Sequence, residues 1–387
     1  MLPELHRGRP QRAPRGGLHA GLPLPGRGRR ALPERVGAGP GVEPGARGAR
    51  ARERLKAAVV GARRVRQGTG EYVARELARR GVDVVAIVGT RPESLAEARA
   101  NLHERHGIEA RGYTSLEDLL GAEEVDLVAI CSPIGAHEAQ VRAALARGCH
   151  VFCEKPLLWR AGSEDDPQGA ARNAGVVAAL CAESHAAGRL LSLNTQWPFT
   201  LSAFDQLHPG VRTKPLERFE MHLGPTRLGA AAMLDSGSHP LSMLWALAGP
   251  GRLSQLEVED AGASGSDDSM TVRCGYEHRA GTAAVCLSLK RCPSPPRPAG
   301  YAVNGAAVER RIELPEYRIS LVHGDETALV GDPLADAVED FLTRARAGEP
   351  TRTDELVAHA TQLHQLVRAA QQATSSHAGA LAGEETS

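Results

Sequence analysis

Ala57-Ala58-Val59-Val60-Gly61-Ala62-Arg63-Arg64-Val65-Arg66-Gln67-Gly68-Thr69-Gly70-Glu71-Tyr72 is the stretch that decides the architecture of this chain. Four apolar residues read as a buried strand, the glycines as a turn, and Tyr72–Arg80 as a helix. The pattern then repeats. Strands are expected at Ala57–Val60, Val84–Val88, Val125–Ile130, His150–Cys153 and Leu190–Leu193, with helices at Tyr72–Arg80, Pro92–His103, Ala136–Arg147 and Ala174–Ala187. Apolar strands alternating with helices give a doubly wound parallel sheet, with ligand expected beyond the carboxyl ends of its strands.

After about Asn194 the texture changes. Arg218–Leu223, Leu256–Glu259, Met270–Tyr276 and Thr282–Leu289 read as strands without a helix between each pair, so a C-terminal α/β domain with a largely antiparallel open sheet is expected. Leu334–Arg346 and Glu355–Gln371 read as two closing helices. Domain bounds are placed at 53–195 and 196–372, followed by a frayed, flexible tail over 373–387. Residues 1–52 are rich in Arg, Gly and Pro without hydrophobic periodicity; they read as a disordered extension dispensable for folding, such as an upstream start codon would add.

The 387 residues, 42% hydrophobic and 24% charged, suit a packed globular protein. No apolar run reaches membrane-spanning length and no secretory leader is seen, so a cytoplasmic location is expected. Seven cysteines without a C-x-x-C pair suggest neither a disulfide framework nor a metal site. The first fifty residues hold ten arginines and three glutamates, leaving the folded part mildly acidic. Nucleic-acid binding by the folded part is not indicated, because phosphate neutralisation requires a basic surface.

The turn after the first strand can cradle a dinucleotide. Gly61 makes the tight turn, Gly68 and Gly70 permit close backbone approach, and the helix amino terminus near Ala62, Arg63 and Thr69 offers N–H groups to a pyrophosphate. The spacing departs from G-x-G-x-x-G, and an ordinary strand-helix turn is the competing reading. The second strand ends in Gly89-Thr90-Arg91, where a carboxylate would normally hold the ribose hydroxyls. Thr90 and Arg91, with Arg63 and Arg64, suit a 2′-phosphate instead, which favours NADP(H) while leaving NAD(H) possible. Arg91 as a solvated residue before Pro92 is the alternative.

Two further strand ends carry polar groups: Ser132-Pro133 followed by His137, and Glu154-Lys155-Pro156. Lys155 places a cation where a nicotinamide should lie, unless the tripeptide is a surface turn. Asp235 and His239 stand four residues apart, which puts them on one face at the beginning of a helix that tolerates Pro240 in its first turn. Helix capping by Asp235 and packing of His239 is the structural alternative. Asn194, Gln196 and Trp197 follow the last strand of the first sheet and should enter the same cleft. Trp197 and Phe199 serve either substrate contact or domain packing.

Ser-Pro-x-x-x-His, then Glu154-Lys155-Pro156-Leu157, then Asp235-Ser236-Gly237-Ser238-His239-Pro240 together resemble the Gfo/Idh/MocA oxidoreductases over residues 55 to 372. That resemblance implies an N-terminal Rossmann domain, a nicotinamide cofactor bound near Ser132, Pro133, His137 and Glu154, and a small-molecule substrate. It also implies that Lys155 positions cofactor and substrate hydroxyl, His239 is the acid/base, and Asp235 bonds substrate or His239. A homodimer or homotetramer through an apolar open sheet face is implied too. Ile134, Ser242 and a short polar insertion between Trp159 and Asn173 depart from the pattern and leave the sugar or polyol specificity open. Reduction of a cyclic imine, or cofactor sensing without turnover, are the alternative functions.

Overall fold

The computed structural model describes residues 54–63, 68–260, 268–313 and 318–384, with side chains described as far as 375, Asp260 excepted. The expected disordered extension and Arg64 lie outside them. The first sheet is built from β1 (Lys56–Val60), α1 (Gly70–Arg79), β2 (Asp83–Val88), α2 (Pro92–His106), β3 (Arg111–Tyr113), α3 (Leu116–Ala122), β4 (Leu127–Ile130), α4 (His137–Ala146), β5 (His150–Glu154), α5 (Gly169–Ala186) and β6 (Leu191–Asn194). Its strands are parallel in the order β3-β2-β1-β4-β5-β6, the doubly wound arrangement expected. Ala57, Ala58, Val59, Leu127, Val128 and Ala129 are fully buried, because helices cover both faces of a parallel sheet. Local chemistry sets the helix ends: Pro92 occupies the first turn of α2, and Gly107 closes it at φ +66°.

The second sheet follows α6 (Leu201–Leu207), β7 (Arg218–Leu223), α7 (Ala230–Ser236), α8 (Ser238–Ala248), β8 (Gly251–Asp260), β9 (Ser269–His278), β10 (Gly281–Lys290), β11 (Ala299–Val303), β12 (Ala306–Glu313), β13 (Arg318–His323) and β14 (Glu326–Val330). Its eight strands run β14-β13-β12-β11-β7-β10-β9-β8, antiparallel except for the β7–β10 pair. The chain ends in α9 (Pro333–Ala347) and α10 (Thr353–Glu384). The frayed tail expected from 373 is helical through Glu384.

Packing does not respect the expected division at 195/196. Leu334, Val338 and Phe341 of α9 return to the core of the first sheet, where the Phe341 and Phe152 rings lie 5.2 Å apart. Leu356 and Ala360 of α10 belong to the other layer of that first domain, whereas Leu363, Leu366, Val367 and Ala370 belong to the second. The last helix therefore bolts the two sheets together.

One face of the second sheet buries Met221, Val272, Leu287, Tyr301 and Val308. The other is not the apolar surface expected. Glu259, Thr271, Ser288, His222, Gly300 and Glu309 run across it in register. Among the described residues, Leu329 is the exposed large hydrophobic residue. No described helix is long and apolar enough to cross a membrane.

Candidate active site

The strand order of the first sheet reverses between β1 and β4, and the site gathers at the carboxyl ends of the strands around that point. Gly61 leaves β1 at φ +81°, where a Cβ would stand 2.6 Å from the Cys131 carbonyl oxygen. A Cβ on Gly70, the first residue of α1, would collide with the Gly61 carbonyl oxygen. Both positions require glycine. Together with buried Ala62 and half-buried Gly68 and Thr69, they bring the backbone round to the amino terminus of α1, whose leading N–H groups are the kind of donor a pyrophosphate takes.

Glu154 ties this cradle to the neighbouring strands. Its Oε1 accepts from the Thr69 hydroxyl and, at 2.6 Å, from Asn194 Nδ2, while Oε2 accepts the Lys155 N–H at 3.3 Å. Asn194 is 2% exposed, and its Oδ1 accepts from Gln196 at 3.5 Å. It therefore holds Glu154 rather than lining the cleft as a substrate contact. His137 likewise departs from its expected cofactor role. It is buried at the start of α4, with Nδ1 3.0 Å from the Pro156 carbonyl and Nε2 2.8 Å from the Ser132 carbonyl. The ring clamps two loops from behind, next to exposed Pro133, while the Ser132 hydroxyl donates to Gln140 at 2.6 Å. Burial first, then the Glu154 charge, raises the Cys131 pKa, so that thiol stays protonated.

Across the cleft, Lys155 Nζ donates to the Asp235 carbonyl oxygen at 2.5 Å and to Oδ1 at 3.4 Å. Asp235 and His239 lie either side of Gly237, which keeps helical dihedrals of φ −61° and ψ −27° and donates its N–H to the Met233 carbonyl at 2.8 Å. α7 stops at Ser236, α8 starts at Ser238, and Gly237 is the joint, packed so closely that a Cβ would meet the Met233 carbonyl at 2.5 Å. Asp235 meets Lys155, and His239 occupies the first turn of α8 beside Pro240. Desolvation, then the charges of Lys155, Arg310 and His359, hold the His239 pKa well below its ordinary value. At neutral pH His239 is an uncharged base next to a cation.

Trp197 is 6% exposed and forms a wall, its ring 6.1 Å from His239 and 6.0 Å from Tyr301. Phe199 packs on the first domain's core instead. Two site residues escaped the sequence reading. Arg310 on β12 places its guanidinium 5.3 Å from the Trp197 ring centroid. His359 comes from α10, and its signal was a histidine within the apolar stripe Leu356, Ala360, Leu363. Thr90 and Arg91 are exposed at the end of β2, while Arg63 pairs with Glu97 at 2.8 Å.

Fold and cradle together define a two-domain protein with a Rossmann dinucleotide-binding domain. Residues 55–180 match the family model described as oxidoreductase family, NAD-binding Rossmann fold, the Gfo/Idh/MocA family that this part of the chain is similar to. It is 36% identical over 107 residues to 1,5-anhydro-D-fructose reductase of Ensifer adhaerens, covering 28% of this chain and 31% of that protein. The match thus spans about a third of that relative's length. Among solved structures, GenD2 from gentamicin A biosynthesis, in complex with NAD, superposes with a TM-score of 0.60 at 19% identity, covering 85% of this chain and 96% of its own. A variant of KijD10, a 3-ketoreductase from Actinomadura kijaniata in complex with TDP-benzene and NADP, gives 0.55 at 20% identity, covering 83% and 98%. At such identities these two speak for the fold.

Proposed function

We propose that this chain is a nicotinamide-dependent dehydrogenase or reductase acting on a hydroxyl or carbonyl carbon of a sugar, polyol or related metabolite. The observation that carries this reading is the convergence of Lys155, anchored by Asp235, with an uncharged His239 at the mouth of a backbone cradle. A bound nicotinamide supplies hydride acceptance and donation at its C4. The protein's own residues handle the oxygen and its proton. Lys155 draws the substrate oxygen and stabilises negative charge on it, His239 takes the hydroxyl proton in oxidation and returns it in reduction, and Asp235 fixes the ammonium. Gly61, Gly70 and Thr69 hold the dinucleotide, and Glu154 sets the loop that presents them.

NADP(H) is the proposed cofactor, because Thr90 and Arg91 stand exposed where an acidic residue would hold the ribose of NAD(H). The test is a titration of the full chain with NADPH and NADH, followed by nicotinamide fluorescence, in wild type and Arg91→Ala. Tight NADPH binding that weakens about tenfold or more in the variant, with NADH unaffected, is expected. Preference for NADH would overturn the role of Arg91, and failure of both to bind would overturn the enzymatic reading.

A further inference from the structure

Arg63 leaves the turn after β1 where the dinucleotide fingerprint has its second glycine. That turn is tied to the end of β2, the Gly61 N–H donating to the Val88 carbonyl at 3.0 Å. Just beyond it, Arg63 Nε lies 2.8 Å from Glu97 Oε2. Glu97 comes from the second turn of α2, the helix that starts at Pro92 directly after Thr90 and Arg91. In a doubly wound domain the end of the second strand is where the adenosine ribose lies, held by a carboxylate for NAD(H) or by cations for NADP(H). Gly89-Thr90-Arg91 offers no carboxylate there. One reaches this end of the sheet from the helix instead, already paired with an arginine.

Two features make this pair exchangeable. The Arg63 side chain is 36% exposed and that of Glu97 50%, so water screens their attraction. The Arg63 Nε atom, although buried, makes no hydrogen bond, so the contact with Glu97 lacks the aligned N–H that strengthens an ion pair. A 2′-phosphate is the better partner, since its oxygens accept two parallel N–H bonds from one guanidinium. It would also stand close to the Glu97 charge, which repels it. We propose that Glu97 is a specificity-determining residue for the cofactor. It holds the Arg63 guanidinium until a 2′-phosphate displaces it and opposes that phosphate with its own charge, whereas NADH, with no phosphate there, is untouched. The inference rests on the proposed reading of the end of β2 as an NADP(H) site and adds that this chain moderates its own preference.

The test is a titration of the full chain with NADPH and with NADH at low salt, followed by nicotinamide fluorescence, in wild type, Glu97→Gln, Arg63→Ala and the double variant. Glu97→Gln keeps the size of an exposed side chain and removes its charge. It is expected to tighten NADPH about fivefold and to leave NADH within about twofold. Arg63→Ala is expected to weaken NADPH, and in that background Glu97→Gln should gain only about twofold, because the repulsion is then all that it relieves. NADPH affinity unmoved by Glu97→Gln overturns the proposal, as does an equal gain for NADH, which would place the charge effect on the shared pyrophosphate. A gain that is the same with and without Arg63 overturns it too, since Glu97 would then act without its partner. If Arg91→Ala still weakens NADPH while Glu97→Gln does nothing, the role of Glu97 alone is struck and the cofactor reading stands. A wild-type protein that binds neither cofactor overturns both.

Discussion

Lys155 Nζ lies 2.5 Å from the main-chain oxygen of Asp235 and 3.4 Å from its Oδ1, so a cation just past the end of β5 in the first domain is anchored on the second. Removing the ammonium should cost turnover and leave the cradle intact. Lys155→Met is expected to lower kcat/KM by about 10²–10³, with NADPH affinity within a few-fold of wild type. Asp235→Asn keeps the carbonyl anchor and should lose only about tenfold. Equal losses of turnover and cofactor affinity in Lys155→Met would make the lysine a cofactor anchor instead.

Stability should fall on the acid side through the buried imidazoles. The folded pKa of His359 is about 4 against 6.5 in the unfolded chain, so below pH 6.5 the unfolded state binds the proton first. The associated stability is whole above pH 6.5 and is lost as the pH falls through about 4, up to about 3 kcal/mol for this one group. His239, also depressed, adds loss in the same direction. Denaturant melts of wild type and His359→Leu between pH 7 and 4.5 should converge on a shallower slope for the variant. Identical slopes would mean that His359 is solvated.

Glu154 Oε1 accepts from both Thr69 and Asn194, the latter at 2.6 Å, which makes position 194 sensitive to charge. Asn194→Asp sets two carboxylates against each other, and one of them must take up a proton at a raised pKa. An acid whose folded pKa is raised costs stability above its unfolded pKa near 4 and regains it as the pH falls. The variant is expected to be at least about 2 kcal/mol less stable than wild type at pH 7, with the gap narrowing toward pH 5. A gap independent of pH would show that Asn194 acts through packing.

The first domain was legible because each strand is an apolar run bounded by glycine or a charge; β1 (Lys56–Val60) and β5 (His150–Glu154) fall within a residue of their expected ends. β3 and α3 were missed, although Ser115, whose side chain accepts from the Asp118 N–H, offers a capping signal. Four strands, β11 to β14, also went unread. Asn304 and Gly305, at φ +51° and +86°, form the hairpin turn that Asn-Gly announces, but Glu309-Arg310-Arg311 between them and the next strand disguised the alternation of β12. Arg310 was lost with that strand. Residue types at the site were readable, their partners were not: Lys155 and Asp235 stand 80 residues apart, and local spacing does not announce which strand end meets which helix.

The outward face of the second sheet bears on assembly. Arg218 pairs with Glu220 at 2.7 Å, His222 with Glu309 at 3.0 Å and Arg273 with Glu259 at 2.5 Å, so this face is polar and already satisfied within one chain. A homodimer or homotetramer using it must exchange these ion pairs across the interface instead of burying an apolar surface, and its affinity then depends on unscreened charge. Screening shortens from about 10 Å at 0.1 M salt to about 3 Å at 1 M. Sedimentation velocity is therefore expected to show any assembly at 0.05 M NaCl shifting toward monomer by 1 M. A species whose size is indifferent to salt would place the interface on another, apolar surface and remove this sheet from the assembly.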